Sequence, residues 1–160
     1  AFAAIDLQSG TTPSYTMALL DLDTASPLAA TPAWHDVGSG LRVEVGLDQV
    51  EPPDIFFPDV TEVAGVQVPQ AAWPPLEGLS DVIAVWYTSP FDYSISGGAA
   101  IEIDNQWNLP AGNTYQVWVG SYEERAWLDG GTLTADAAVL TGTAEIEHFS
   151  TIVLTGPVTP

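Results

Sequence analysis

Residues 144–154 read AEIEHFSTIVL, and whether this stretch is a strand decides the fold. β-Branched and aromatic residues fill it and neither Gly nor Pro interrupts it, as a pleated strand requires. With a side-chain period of two, Ile146, His148, Ser150, Ile152 and Leu154 share one face. Three aliphatic residues turn that face to a core and leave the histidine at its rim. The stretch reads as the closing strand of a sandwich.

The same rhythm recurs upstream. LRVEVGL (41–47) alternates cleanly, and DVIAVWYT (81–88), AAIEID (99–104), TYQVWVG (114–120) and GTLTADA (131–137) follow. At the N-terminus FAAIDLQ (2–8) and YTMALLDL (15–22) form an expected strand pair joined by SGTTPS. The glycines of SISGG, LPAGN and LDGG supply the positive φ of tight turns between strands. Thirteen prolines and fourteen glycines leave few windows long enough for a helix. The expectation is an all-β, antiparallel, Ig-like sandwich with few or no helices.

The middle differs. Six prolines fall between Glu51 and Gly78, in EPPDIFFPDV and VPQAAWPPLEG, too many for a central strand. This divides the chain into a small β-module at 1–56, a Pro-rich connection at 57–78 and a β-sandwich at 79–160. One continuous domain over 1–160 is the alternative.

Charge excludes whole classes of function. Against 21 acidic residues stand only Arg42 and Arg125, for a net charge of −19. Non-specific nucleic-acid binding needs a basic face to displace counterions, so nucleic acid is not a partner. Anionic membranes are disfavoured for the same reason, and no apolar run nears the ~20 residues of a helical span, so no membrane insertion is expected. The absence of cysteine rules out disulfides, thiolate metal sites and cysteine nucleophiles. The opening AFAAIDLQSG lacks a basic n-region, so any signal peptide is expected to have been removed already. The acidic, lysine-free composition points to an extracellular or cell-surface location.

Three segments carry a resemblance: VWYTSPFDYSISGGAAIEID (85–104), LPAGNTYQVWVGSYEERAWLDGGTLTADA (109–137) and AEIEHFSTIVL (144–154). Together, from about Val60 to Leu154, they resemble a ZU5-type β-sandwich. In that family a strand pair is followed by a polar segment with a Trp before a turn, here Trp127, and a strand of the HFST type closes the domain. IDLQSGTTPSYTMALLDLDTASPL (5–28) is similar to the opening of carboxypeptidase-regulatory-like or transthyretin-like modules of bacterial surface proteins.

The resemblance brings a reaction with it, because in some ZU5-type domains the Phe–Ser bond of an HFS sequence breaks spontaneously. Here that bond is Phe149–Ser150. Ser150 would attack the carbonyl before it in an N→O acyl shift, with His148 as base; Glu145 and Glu147 are near, but spacing identifies no acidic helper. Backbone strain and an oxyanion donor would be needed as well. A structural histidine at a sandwich rim explains the same residues with no reaction, and the protein is not expected to be an enzyme.

Other candidates are weaker. GSGLRV at Gly38 lacks the third glycine of a dinucleotide loop. His35-Asp36 and His148 could join a serine, but two isolated histidines seldom make a triad, and Glu123-Glu124-Arg125 reads as a solvated hairpin tip. No cofactor is expected, with a loop-bound Ca²⁺ at Asp21, Asp23 and Asp104 as the alternative. Trp86 and Trp118 read as core. Trp34, Trp73 and Trp107 fall in expected loops, where they cap the sandwich or bind a sugar or a protein.

The expected function is a non-catalytic surface or structural module whose partner is a protein or another copy of itself, pairing through strand edges. Self-processing at Phe149–Ser150 and carbohydrate binding are the alternatives.

Overall fold

The computed structural model describes residues 21–23 and 25–158, and they build an all-β antiparallel fold. The expected strands at 2–8 and 15–22 lie outside the described residues, apart from Asp21 and Leu22, which belong to no strand. The described strands are β1 (Ser26–Pro27), β2 (Ala33–Gly38), β3 (Leu41–Val45), β4 (Val50–Glu51), β5 (Glu62–Gln67) and β6 (Val82–Ser89). They continue with β7 (Ser94–Asp104), β8 (Thr114–Ser121), β9 (Ala126–Ala135), β10 (Val139–Gly142), β11 (Glu145–His148) and β12 (Thr151–Pro157). The one helical element among the described residues is a 3-10 turn at Gln70–Ala72. Neighbours run β1-β5-β6-β12-β8-β9-β10-β7-β3-β2, with β4 and β11 also paired to β7.

Alternation places the core. Leu41, Val43 and Val45 of β3, Ala99, Ile101 and Ile103 of β7, and Tyr115, Val117 and Val119 of β8 all turn inward. They meet Trp86, Phe149, Ile152 and Leu154 in one apolar cluster fed from residue 28 to residue 154. Each such aliphatic or aromatic side chain contributes about 1.5–3 kcal/mol by leaving water. The core therefore draws on strands from both sides of the Pro-rich middle.

The 57–78 stretch is not only a connection. Its residues 62–67 form β5, paired to β6 from Ala64↔Ser89 to Gln67↔Trp86. This corrects the expectation, and the reason is position: all six prolines lie outside β5, so none removes a donor from its ladder. After β5 the chain folds back over the sheet. Val68 N donates to Val85 O (2.7 Å), and Ala72, Trp73, Leu76 and Leu79 pack on Val85 and Val153. This second apolar cluster covers the outer face of β6 and β12. It is why β6 buries Ala84, Val85 and Trp86 in succession and β12 buries Ile152, Val153 and Leu154.

The ends of the sheet path curl together. Asp23 N donates to Gly65 O (3.0 Å), and Gln67 N donates to Ser39 Oγ (3.1 Å), which donates in turn to Asp23 Oδ2 (2.8 Å). Gly65 is required at this seam, because a Cβ there would lie 2.8 Å from Val37 O and 3.0 Å from Tyr87 O. Gln49, between β3 and β4, links this loop to β7. Its amide nitrogen donates to Ser96 O and Gly98 O, and its amide oxygen accepts from Gly46 N.

Candidate functional site

His148 ends β11 and Thr151 begins β12, so Phe149 and Ser150 form a corner. The single closing strand expected over 144–154 is thus two strands, and the backbone partners show why. Phe149 N donates to Tyr93 O (3.0 Å) and Asp92 N donates to Phe149 O (2.8 Å). One residue later the partner is Thr88: Ser150 N donates to its Oγ1 (2.9 Å), and Ser150 O accepts from Thr88 N (3.1 Å) and Oγ1 (2.7 Å). The chain changes neighbours between consecutive residues, so the strict alternation through Ser150 is lost there. Phe149 is fully buried and Ser150 is 3% exposed.

The two candidate catalytic side chains converge on a third group. Ser150 Oγ donates to Gly120 O at 2.5 Å, and His148 Nε2 lies 3.0 Å from the same oxygen. A carbonyl only accepts, so His148 carries its proton on Nε2 and donates it. Both side chains therefore direct protons to Gly120 rather than to one another. Glu145 and Glu147 are exposed on the other side of the strand. The Asp92 N–H on Phe149 O is a donor placed where an oxyanion would form.

Gly120 is chosen for space as well. A Cβ there would come 3.2 Å from the Trp127 ring and 3.5 Å from Ser150 Oγ. Trp127 packs on the outer cluster, as does Tyr87, which stacks on Phe91 (centroids 5.6 Å, 7°). Burial pushes the Tyr87 phenol above its ordinary value.

The remaining candidates separate. Trp34 lies in β2 and not in a loop; it is 43% exposed because β2 turns His35 and Val37 inward instead. Trp73 does follow a loop turn, packs on the outer cluster and donates Nε1 to Val68 O (2.9 Å). Trp107 sits in a turn and meets Trp86 edge-on (5.7 Å, 85°), capping the core. Trp118 departs from the core assignment: it is half-buried on the outer face, bonded to Thr155 Oγ1.

His35 is buried between two partners: Nε2 donates to Val45 O (3.1 Å) and Nδ1 faces Ser26 Oγ (3.2 Å). Asp36 accepts from Gly38 N, so no triad is assembled there. Asp23 and Asp104 flank the β2–β3 turn, but Asp23 is held by Ser39 and Asp104 lies 3.8 Å from Arg42, which pairs mainly with Glu102 (3.0 Å). Asp21 is exposed, and no group of three or more His, Cys, Asp or Glu is gathered for a metal among the described residues. Glu123, Glu124 and Arg125 occupy the exposed β8–β9 tip.

Ile55 and Phe56, inside the segment noted only for its prolines, are 90% and 87% exposed. They cap a turn in which Phe57 N donates to Asp54 O (3.0 Å) and Phe56 N to Asp54 Oδ1 (3.2 Å). Below them Phe57 meets Tyr93 edge-on (6.2 Å, 88°), and the buried Tyr93 donates its hydroxyl to Pro58 O (2.8 Å). Three large apolar residues bracketed by Asp and Pro were the available signal. They are too few for a strand and too close to prolines to extend into one.

The fold and these contacts define an antiparallel all-β protein with an apolar tip held on a tyrosine anchor. No family model, curated protein or solved structure matches the chain. No helix among the described residues is long and apolar enough to cross a membrane.

Proposed function

We propose that the protein is a non-catalytic structural or interaction module of an extracellular or cell-surface assembly, and that its partner is a further copy of itself. The observation that carries this is the display of Ile55 and Phe56 at about nine-tenths exposure on a turn clamped by Tyr93. Large apolar side chains held in water by a fixed base favour a contact that covers them. The acidic surface keeps the free chain soluble and sets a repulsion that salt relieves. The N-terminal resemblance to transthyretin-like modules of bacterial surface proteins supports the same setting. Pairing through the terminal strands is the less favoured route, since β1 meets β2 through Ser26 and His35. Sedimentation across salt and protein concentration tests the reading: mass that grows with both supports it, and a monomer throughout refutes it.

Self-processing at Phe149–Ser150 is the second reading, favoured by the Asp92 N–H on the Phe149 carbonyl. Against it stand the Ser150 and His148 protons, both directed to Gly120 O. Intact mass decides. The first reading expects only full-length protein, whereas a species ending at Phe149 and lost in Ser150→Ala would establish processing.

A further inference from the structure

Trp107 caps the core and Trp34 stands on β2, whereas Trp73 borders a cleft. The cleft, about 430 Å³, opens where β5 ends and β6 begins, against Gln67, Gln70 and the first residues of β6, Val82 and Ile83. Its aromatic wall is set before anything binds. Trp73 packs on the Val85 and Val153 cluster, donates Nε1 to Val68 O (2.9 Å) and donates its backbone N–H to Gln70 O (3.3 Å). Gln67 and Gln70 bring side-chain amides that have no hydrogen-bond partner among the described residues. No residue lining the cleft is charged, although the chain carries 21 acids.

We propose that this cleft binds a neutral saccharide, with a sugar ring against Trp73 and its hydroxyls on the amides of Gln67 and Gln70. Each property of the lining removes a competing class of ligand. With no charged lining residue there is no counter-charge for an ionic ligand, and the net charge of −19 repels an anionic one besides. A hydrocarbon would strip water from two amides and return no hydrogen bond. An extended peptide would need open ladder positions, but β5 and β6 pair with each other up to Gln67↔Trp86, and Val68 N is committed to Val85 O. A sugar offers a C–H face to an aromatic ring and hydroxyls that both donate and accept, and a Trp beside two amides matches both. The volume lies within the range of small-ligand pockets. The site does not rest on self-association through the Ile55–Phe56 tip. The tip precedes β5 and the cleft follows it, and at about 3.3 Å per residue the six-residue strand between them spans roughly 17 Å. One ring and two amides bind weakly, so a polymer presenting many copies of the sugar is the suitable probe.

Native gel electrophoresis of the full chain tests this, because so acidic a protein migrates strongly and an uncharged polymer cast in the gel does not move. The probes are neutral polysaccharides (a β-glucan, a xylan, a mannan and dextran), with polygalacturonate as the anionic control. Wild type should be slowed by at least one neutral polymer and not by polygalacturonate. Trp73→Ala should abolish the retardation, Gln70→Ala at an exposed position should weaken it several-fold, and Ile55→Ser/Phe56→Ser should leave it unchanged. Circular dichroism and melting verify folding; if Trp73→Ala fails to fold, Gln70→Ala decides alone. Mobility unaffected by every neutral polymer overturns the proposal. So does retardation that Gln70→Ala leaves intact, that the tip variant loses, or that polygalacturonate matches. None of these outcomes bears on self-association, which sedimentation reads separately.

Discussion

Thr88 shows how much one hydroxyl carries at the corner. Its Oγ1 both donates to Ser150 O and accepts from Ser150 N. Thr88→Val keeps the shape and leaves Ser150 N buried without an acceptor, a loss of about 1–3 kcal/mol. Ser150→Ala should cost less, about 1 kcal/mol, because Gly120 O retains the His148 donor. Urea unfolding of both variants measures the order; a reversed order would mean that the Ser150 hydroxyl matters more than its backbone. Asp136 acts at the β9–β10 turn, where its carboxylate accepts from Ala138 N (2.7 Å) and Val139 N (2.8 Å). Those two bonds hold its pKa below the ordinary 3.8. The stabilisation is thus present above pH 3.8 and is lost as pH falls through the lower folded value. Asp136→Ala should remove that part of the acid limb and leave the melting temperature flatter between pH 4 and pH 2. At this scale the sequence singled out His148, Phe149 and Ser150, but their partners Thr88, Tyr93 and Gly120 lie 28 to 62 residues away. No spacing rule reaches that far.

Elements were legible where one face is wet. The alternation in 41–47 and 114–120 marks β3 and β8 because period two is visible in the letters. The apolar runs of β6 and β12 signal burial on both faces without saying what covers the second one. The answer, residues 68–79, was masked by prolines that argue against a strand and say nothing about docking. Trp73 fastens this cover through its ring and its Nε1 bond to Val68 O. Trp73→Ala should cost about 2 kcal/mol, less than the 3–5 of a fully buried Trp because the ring is half-exposed. Hydrogen exchange should show the Val68 amide losing protection well before Trp86 or Ile152. Equal loss across all three would mean that the cover and the sheet open as one unit.

The molecule as a whole closes through contacts that leave no local trace. Gly38 and Gly65 are 27 residues apart and bring β2 against β5 without a ladder between them. Gly65→Ala puts a methyl against two backbone oxygens that cannot move independently, and should destabilise by about 1–3 kcal/mol. Thermal melting checks this. An unchanged melting temperature would show that the seam has slack. The all-β antiparallel class was readable because strand rhythm and turn residues are local; the curl of the sheet's ends was not, because it depends on which glycines approach one another.

The scarcity of basic residues has a consequence for how the folded state can be probed. Trypsin cleaves after Lys or Arg, and this chain offers it two bonds. Arg42 lies inside β3, paired to Glu102 across the ladder with β7, while Arg125 stands on the exposed β8–β9 tip with φ of +54°. Digestion of the native protein should therefore give one nick, at Arg125–Ala126. The pieces should stay together, because β8 and β9 remain registered from Thr114↔Thr134 to Ser121↔Ala126. The second cut, at Arg42–Val43, becomes a clock for the opening of β3: its rate reports global unfolding, read from a single peptide mass.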